Sequence, residues 1–327
     1  MRRNILFVML MMLISSLSYG QEQALHLNLK DVLQLAQANN ASVLVSHERV
    51  LQSLANISSA QSALLPQITG SFGGKRQTVD LRAGGIPLPS DPHVGPFNSF
   101  DTRGRLTMAI FDAESSSRLK AARAGKKLSL AQQQKVKEDI LALVADMYLE
   151  AKRAHQAIAL TKVTFDLAEF RLKVIQAQFQ QGLSSALDVQ EAKAQLSDAS
   201  YIYETAKYRA NQTRMDLASA VNLPLDQSII FDDDMNLPNK ELKEAPLSAD
   251  VAVGEAQLEQ SKMEASQIKG SLMPKIVASG DLGKSGKSID ESSRTYGLGI
   301  NVSVPIWEGG LKSAQLKNAK SKIKENE

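Results

Sequence analysis

The stretch Phe179-Gln180-Gln181-Gly182-Leu183-Ser184-Ser185-Ala186-Leu187-Asp188-Val189-Gln190-Glu191-Ala192 decides how this chain folds. No proline occurs between Pro96 and Pro224, and the glycines in that interval are Gly104, Gly125 and Gly182. Gly182 suits a left-handed C-terminal cap. Ser185 with Asp188 has the Ser-x-x-Asp spacing of a capping box. A helix that stops at Gly182 and restarts after Ser185 makes an antiparallel hairpin with a tight tip.

Apolar and small residues run away from this tip in both directions. On the incoming side they are Val136, Ile140, Leu143, Met147, Ala151, Ala154, Ile158, Thr161, Phe165, Ala168, Leu172, Ile175 and Phe179. Their mean spacing of about 3.6 residues predicts an almost straight helix from about Ala113 to Gln181. Its length would be on the order of 100 Å. The return helix has Val189, Ala192, Leu196, Ala199, Tyr203, Ala206, Ala210, Thr213, Leu217 and Ala220 at steps of three and four. The alanines permit close helix approach. Asn222-Leu223-Pro224 ends it.

Composition supports a helical protein. Among 327 residues, 43% are hydrophobic but only 5% aromatic, and the formal charge is +3. Basic residues alternate with acidic ones and form no stripe interleaved with aromatics, which argues against nucleic acid as a partner. The absence of cysteine excludes disulfides and thiolate sites. His26, His47, His93 and His155 are scattered, so no metal site is expected. No serine–histidine–acid set, phosphate loop or carboxylate pair suggests an enzyme, and no cofactor is called for.

The N-terminus reads as a secretory signal over residues 1–20. Arg2-Arg3 precedes the apolar run Ile5–Ile14, and Ser18 and Gly20 are small. The mature chain is expected to begin near Gln21. A membrane anchor is the alternative, for which the run is short. No cysteine follows to carry a lipid, and no later apolar run is long enough for a helical span. A membrane-spanning mature chain must therefore use β-strands.

Around the hairpin the chain repeats itself. Asn28 and Asp31 open a first helix, interrupted near Asn39-Asn40 and stopped by Pro66. Strands are expected from Gln67 to about Leu81 and from 101 to 111, with a Gly- and Pro-rich loop over 82–98. Ser62-Ala63-Leu64-Leu65-Pro66-Gln67-Ile68 returns as Gly270-Ser271-Leu272-Met273-Pro274-Lys275-Ile276, roughly 200 residues later. Thr107-Met108-Ala109-Ile110-Phe111-Asp112 returns as Ser303-Val304-Pro305-Ile306-Trp307-Glu308. The first repeat spans 21–223, with a β-hairpin at 67–111 and the helical hairpin at 113–222. A linker covers 224–248; its patch Asp232-Asp233-Asp234 reads as a solvated loop. The second repeat, 249–327, has a β-hairpin at 274–307 and only the start of a long helix.

The second copy carries the clearest strand. Tyr296, Leu298, Ile300, Val302, Val304 and Ile306 alternate with Gly297, Gly299, Asn301, Ser303 and Pro305. This alternation fits either a tilted membrane-spanning strand or a soluble sheet with one wet face. The signal and the Gly-rich loops weigh toward the membrane.

Taken together and in order, these motifs resemble the TolC-type outer-membrane efflux proteins. The resemblance rests on Leu27-Asn28-Leu29 with Val32-Leu33, on the junctions before Pro66 and Pro274, on Val304-Pro305-Ile306-Trp307-Glu308-Gly309-Gly310, and on the tip Phe179 to Ala192. It implies a mainly α protein with β. A long helical hairpin would line an α-barrel tunnel, and four strands per protomer would join a trimeric β-barrel. It implies an outer-membrane location reaching into the periplasm, contact with outer-membrane lipid, and a homotrimer. It also implies a periplasmic adaptor and an inner-membrane transporter as partners in efflux or type I secretion, with passive export through the duct. Gly182 and Leu183 would dock the adaptor, and Asp188 would lie at the periplasmic constriction. The capping role of Asp188 stands beside that one.

The family pattern has a second helical hairpin. Here the chain reaches Glu327 barely 20 residues into that helix, so a fragment or a truncated gene is expected. Two other readings stay open, a periplasmic adaptor-like hairpin protein and a non-functional fragment of the duct.

Overall fold

A computed structural model describes residues 25–80, 93–232 and 248–327. The expected signal (1–20), most of the first hairpin loop, and Asp233, Asp234, Pro238 and Pro246 of the linker lie outside the described residues. The chain packs as two compact units, Met1–Ser46 with Lys135–Ala245, and His47–Gln134 with Pro246–Glu327.

In the first unit, β1 (Leu25–Leu27) leads into α1 (Leu29–Asn39). Asn28 caps α1: the Asp31 N–H donates to its side chain at 2.9 Å, and its own N–H donates to the Asp31 carboxylate at 3.3 Å. The break at Asn40 is anchored by its side-chain amide, which donates to the Ala220 carbonyl at 2.7 Å. From Ala41 the chain continues as α2 (Ala41–Ser62).

The helical hairpin is α3 (Ala113–Gln180) and α4 (Ala186–Ala220). Ala151, Ala154, Ala192, Ala199, Ala210 and Leu217 of the expected seams are buried. Phe165 stacks on Tyr203 with ring centroids 5.8 Å apart. At the base the seam differs from expectation. Val144 and Tyr148 are fully buried, whereas Leu143 is 48% exposed. The cause is a pairing that sequence periodicity does not show. β4 (Ile229–Phe231), inside the expected linker, pairs in parallel with β1. The pair closes a core of Leu27, Val32, Ala36, Val144, Tyr148, Leu217, Val221 and Ile229. The Tyr148 hydroxyl bonds the Leu27 carbonyl at 3.3 Å, and the Lys152 ammonium donates to the Asp232 carbonyl at 3.1 Å. Asp232 also meets His26 at 3.1 Å, so it is tied into the unit rather than free in a solvated loop.

The second unit carries an antiparallel sheet ordered β2-β3-β5-β6. Its strands are β2 (Gln67–Asp80), β3 (His93–Asp112), β5 (Lys275–Gly286) and β6 (Ser292–Ser303). β3 starts earlier than expected, at His93, within the stretch expected as loop. Gly95 and Pro96 are taken up where the β2–β3 register shifts beside Gln77 and Val79, as proline in a sheet requires. β6 ends at Ser303, the partner of Lys275, so the expected strand is cut short before Pro305. Beyond Ser303 β5 has no residue left to pair, and proline cannot donate to a ladder.

α5 (Ala249–Gly270) and α6 (Leu311–Glu325) pack on one another, and Asn326 donates to the Ser261 hydroxyl at 2.9 Å. Lys127 of α3 pairs with Glu259 of α5 at 2.8 Å. Among the described residues no helix is long and apolar enough to cross a membrane.

Candidate functional site

The tip of the helical hairpin is built from its two caps. Gly182 has φ +74°. The Leu183 N–H donates to the Gln178 carbonyl at 2.8 Å, and the Gly182 N–H to Phe179 at 3.0 Å. This crossed pair with a left-handed residue between is the Schellman stop. The Ser185 N–H and hydroxyl each donate to the Asp188 carboxylate at 2.7 Å, and the Asp188 N–H donates back to the Ser185 oxygen at 3.1 Å. Those donors hold the Asp188 carboxyl below its ordinary value, the Ser185 hydroxyl first and its backbone N–H next.

Gly182, Leu183 and Asp188 are thus brought together at one turn. Gly182 and Asp188 have full local roles as turn and cap. Leu183 is 73% exposed. A shallow cleft of about 230 Å³ runs beside it, lined by Arg171, Ile175, Gln178, Asp188 and Glu191. Its mixed charge and open shape suit a protein surface more than a small ligand.

A second surface was missed in the sequence. Leu160, Val163, Leu167 and Phe170 recur at steps of three and four on α3, and all are exposed. They form an apolar row apart from the seam that faces α4. The same spacing of three and four is present in the sequence beside that of the seam.

The sheet has two unlike faces. The register sets Ile68, Phe72, Leu106, Leu282, Tyr296, Leu298 and Ile300 on one side. These side chains are open to the surroundings, with Leu298 at 87% and Ile300 at 71%. The other side carries Asp101, Arg103, Arg105, Asp281 and Thr295. There Arg103 donates to both Asp101 oxygens, at 3.3 and 2.9 Å, and pairs with Asp281. At the junction of β3 with α3, Asp112 is buried. It accepts from the Ser115 N–H and hydroxyl, each at 2.8 Å, and pairs with Lys275 at 2.8 Å.

Apolar groups on a soluble sheet's open face would be unfavourable by about 25 cal/mol per Å². Apolar-out, polar-in alternation is the pattern of a strand between lipid and water. Each of β5 and β6 has 12 residues, about 40 Å at the usual rise. That is enough to cross a hydrocarbon layer of roughly 30 Å with a tilt. Among the described residues no cluster able to hold a metal ion occurs.

Comparison with known proteins agrees with this geometry. The model of the family "Outer membrane efflux protein" matches residues 32–223. The pyoverdine export outer membrane protein OpmQ of Pseudomonas aeruginosa is 23% identical over 302 residues, covering 88% of this chain and 63% of its own length. The outer membrane efflux protein BepC of Brucella suis is also 23% identical, over 332 residues, covering 92% of this chain and 65% of its own. The chain thus spans a little under two thirds of the length of these relatives. Among solved structures, the CmeC outer membrane channel of Campylobacter jejuni superposes with a TM-score of 0.75 at 20% identity, over 91% of this chain and 66% of that one. The resemblance carried by the junction and tip motifs is therefore a relationship, and the chain belongs to the outer membrane efflux protein family.

Proposed function

We propose that this chain is a protomer of an outer-membrane exit duct that exports small molecules or proteins passively, without chemistry on its cargo. The observation that carries the reading is the two-faced sheet: its apolar side chains are exposed on all four strands while Asp101, Arg103 and Asp281 pair on the other side. Three copies would close a barrel of twelve strands, so that no strand edge is left open to lipid. The helical hairpins would line a tunnel through the periplasm, with the row Leu160, Val163, Leu167 and Phe170 packed on neighbouring helices. Gly182 and Leu183 would present the tip to a periplasmic adaptor, which couples the duct to an inner-membrane transporter. Asp188 would then hold the tip's shape while lying near the constriction.

The test is fractionation followed by gel electrophoresis without boiling. Recovery in detergent-extracted outer membrane as a heat-dissociable trimer supports the duct. Recovery in the soluble periplasm as a monomer overturns it. The periplasmic adaptor-like reading would require that soluble result, and it gives no reason for the apolar face.

A further inference from the structure

We propose that Arg76, Lys284 and Arg294 form a basic rim on the lipid-facing side of the sheet that binds the phosphate-bearing headgroups of the surrounding leaflet. The inference rests on the membrane-spanning reading above.

Register places the three cations. Lys284 is the cross-strand partner of Arg294, and the pair lies one step beyond the alternation Leu282–Tyr296. Both therefore belong to the apolar face and not to the side of Arg103. Arg76 lies on the same face, two alternations beyond Phe72. All three side chains are exposed. They sit toward the hairpin ends of the strands, away from the junctions at Asp112 and Lys275.

Two like charges directly opposite each other destabilise a sheet. The polar face shows how this chain resolves charge when it can: Arg103 is held between Asp101 and Asp281. No such partner meets Arg76, Lys284 or Arg294 among the described residues, although Asp290 and Glu291 lie in the turn beside them. An outside anion would remove the repulsion. On the same face Phe72 stands in the cross-strand row of Lys284 and Arg294, and Tyr296 lies one alternation nearer the junctions, an aromatic level of the kind that marks the edge of the hydrocarbon. Long basic side chains at that level reach outward to headgroups. The guanidinium fork and the ammonium both suit phosphate oxygens.

The experiment measures partition of the detergent-purified full chain into phosphatidylcholine vesicles with and without lipid A. Each cation near an anionic surface adds about fivefold, so the native chain should prefer lipid A vesicles on the order of 100-fold. The triple variant Arg76→Gln, Lys284→Gln, Arg294→Gln should lose most of that preference. Its entry into plain phosphatidylcholine vesicles should be unchanged. Arg105→Gln, on the polar face, and Lys284→Arg should both keep the preference. Inorganic phosphate added to plain vesicles should not reproduce it. Retention of the preference in the triple variant, or its equal loss in Arg105→Gln, overturns the rim. Entry into plain vesicles with no lipid A preference overturns the rim alone. Failure of the native chain to enter either vesicle defeats the membrane reading, and the rim with it.

Discussion

The Lys275 ammonium lies 2.8 Å from the Asp112 carboxylate, and the two residues are also register partners at the end of β3 and β5. One contact thus ties the strand pair to the first turn of α3, since Asp112 also caps Ser115. Breaking either side leaves a different residue behind. Asp112→Ala loses the cap and the pair, whereas Lys275→Ala leaves a buried carboxylate with only Ser115. A double-mutant cycle read by denaturant unfolding in detergent should give a coupling of about 1–3 kcal/mol. Additive single effects would refute the link.

At the tip, Gly182 has nothing within 4 Å of where a Cβ would stand. The cost of a side chain there is conformational only. Gly182→Ala should destabilise the hairpin by about 1 kcal/mol, and Gly182→Asn by less, because asparagine tolerates the left-handed region. Helix melting followed by circular dichroism distinguishes these. Equal stability of the alanine variant would mean that the tip is not held at positive φ.

The tip cap should depend on pH in one direction. The Asp188 carboxyl is held below its ordinary value by the Ser185 hydroxyl and N–H. Its contribution is therefore complete above the ordinary carboxylate range, near pH 4. It is lost as pH falls through the lower folded value. Carbon-13 titration of Asp188 checks this, and Ser185→Ala should move its midpoint upward. An unmoved midpoint would contradict the bonding described.

Two helical glycines in α5 should respond oppositely. A Cβ on Gly270 would stand 2.6 Å from the Ala113 carbonyl oxygen, whereas Gly254 has open space around it. Gly270→Ala should cost about 1–3 kcal/mol as backbone is pushed aside. Gly254→Ala should stabilise by about 0.5–1 kcal/mol. Thermal unfolding of the two variants decides, and a shared sign would show that the helix-to-strand junction is looser than described.

Legibility in the sequence followed the range of the interaction. The caps at Asn28, Gly182 and Ser185 were readable because cap chemistry acts over three or four residues. The two β-hairpins were readable because the repeat displays each twice. β1 and β4 were not, since three-residue strands more than 200 positions apart leave no local period. The core they close takes in Val144 and Tyr148 and leaves Leu143 outside, while Met147 packs against its edge. At the site, Asp188 was legible as a cap. The Arg103 bridge and the rim at Lys284 and Arg294 required the register, which a one-residue slip would have reversed.

The side of the sheet that meets lipid decides between a duct and a soluble protein, and the chain's lack of cysteine makes it measurable. Single cysteines introduced in turn from Thr295 to Ile300 would carry a spin label in reconstituted vesicles. Accessibility to oxygen, which concentrates in lipid, and to a water-soluble nickel chelate would then be compared. Labels at 296, 298 and 300 should be relaxed by oxygen, and those at 295, 297 and 299 by the chelate. Equal access of the chelate to both sets would contradict a membrane-spanning sheet.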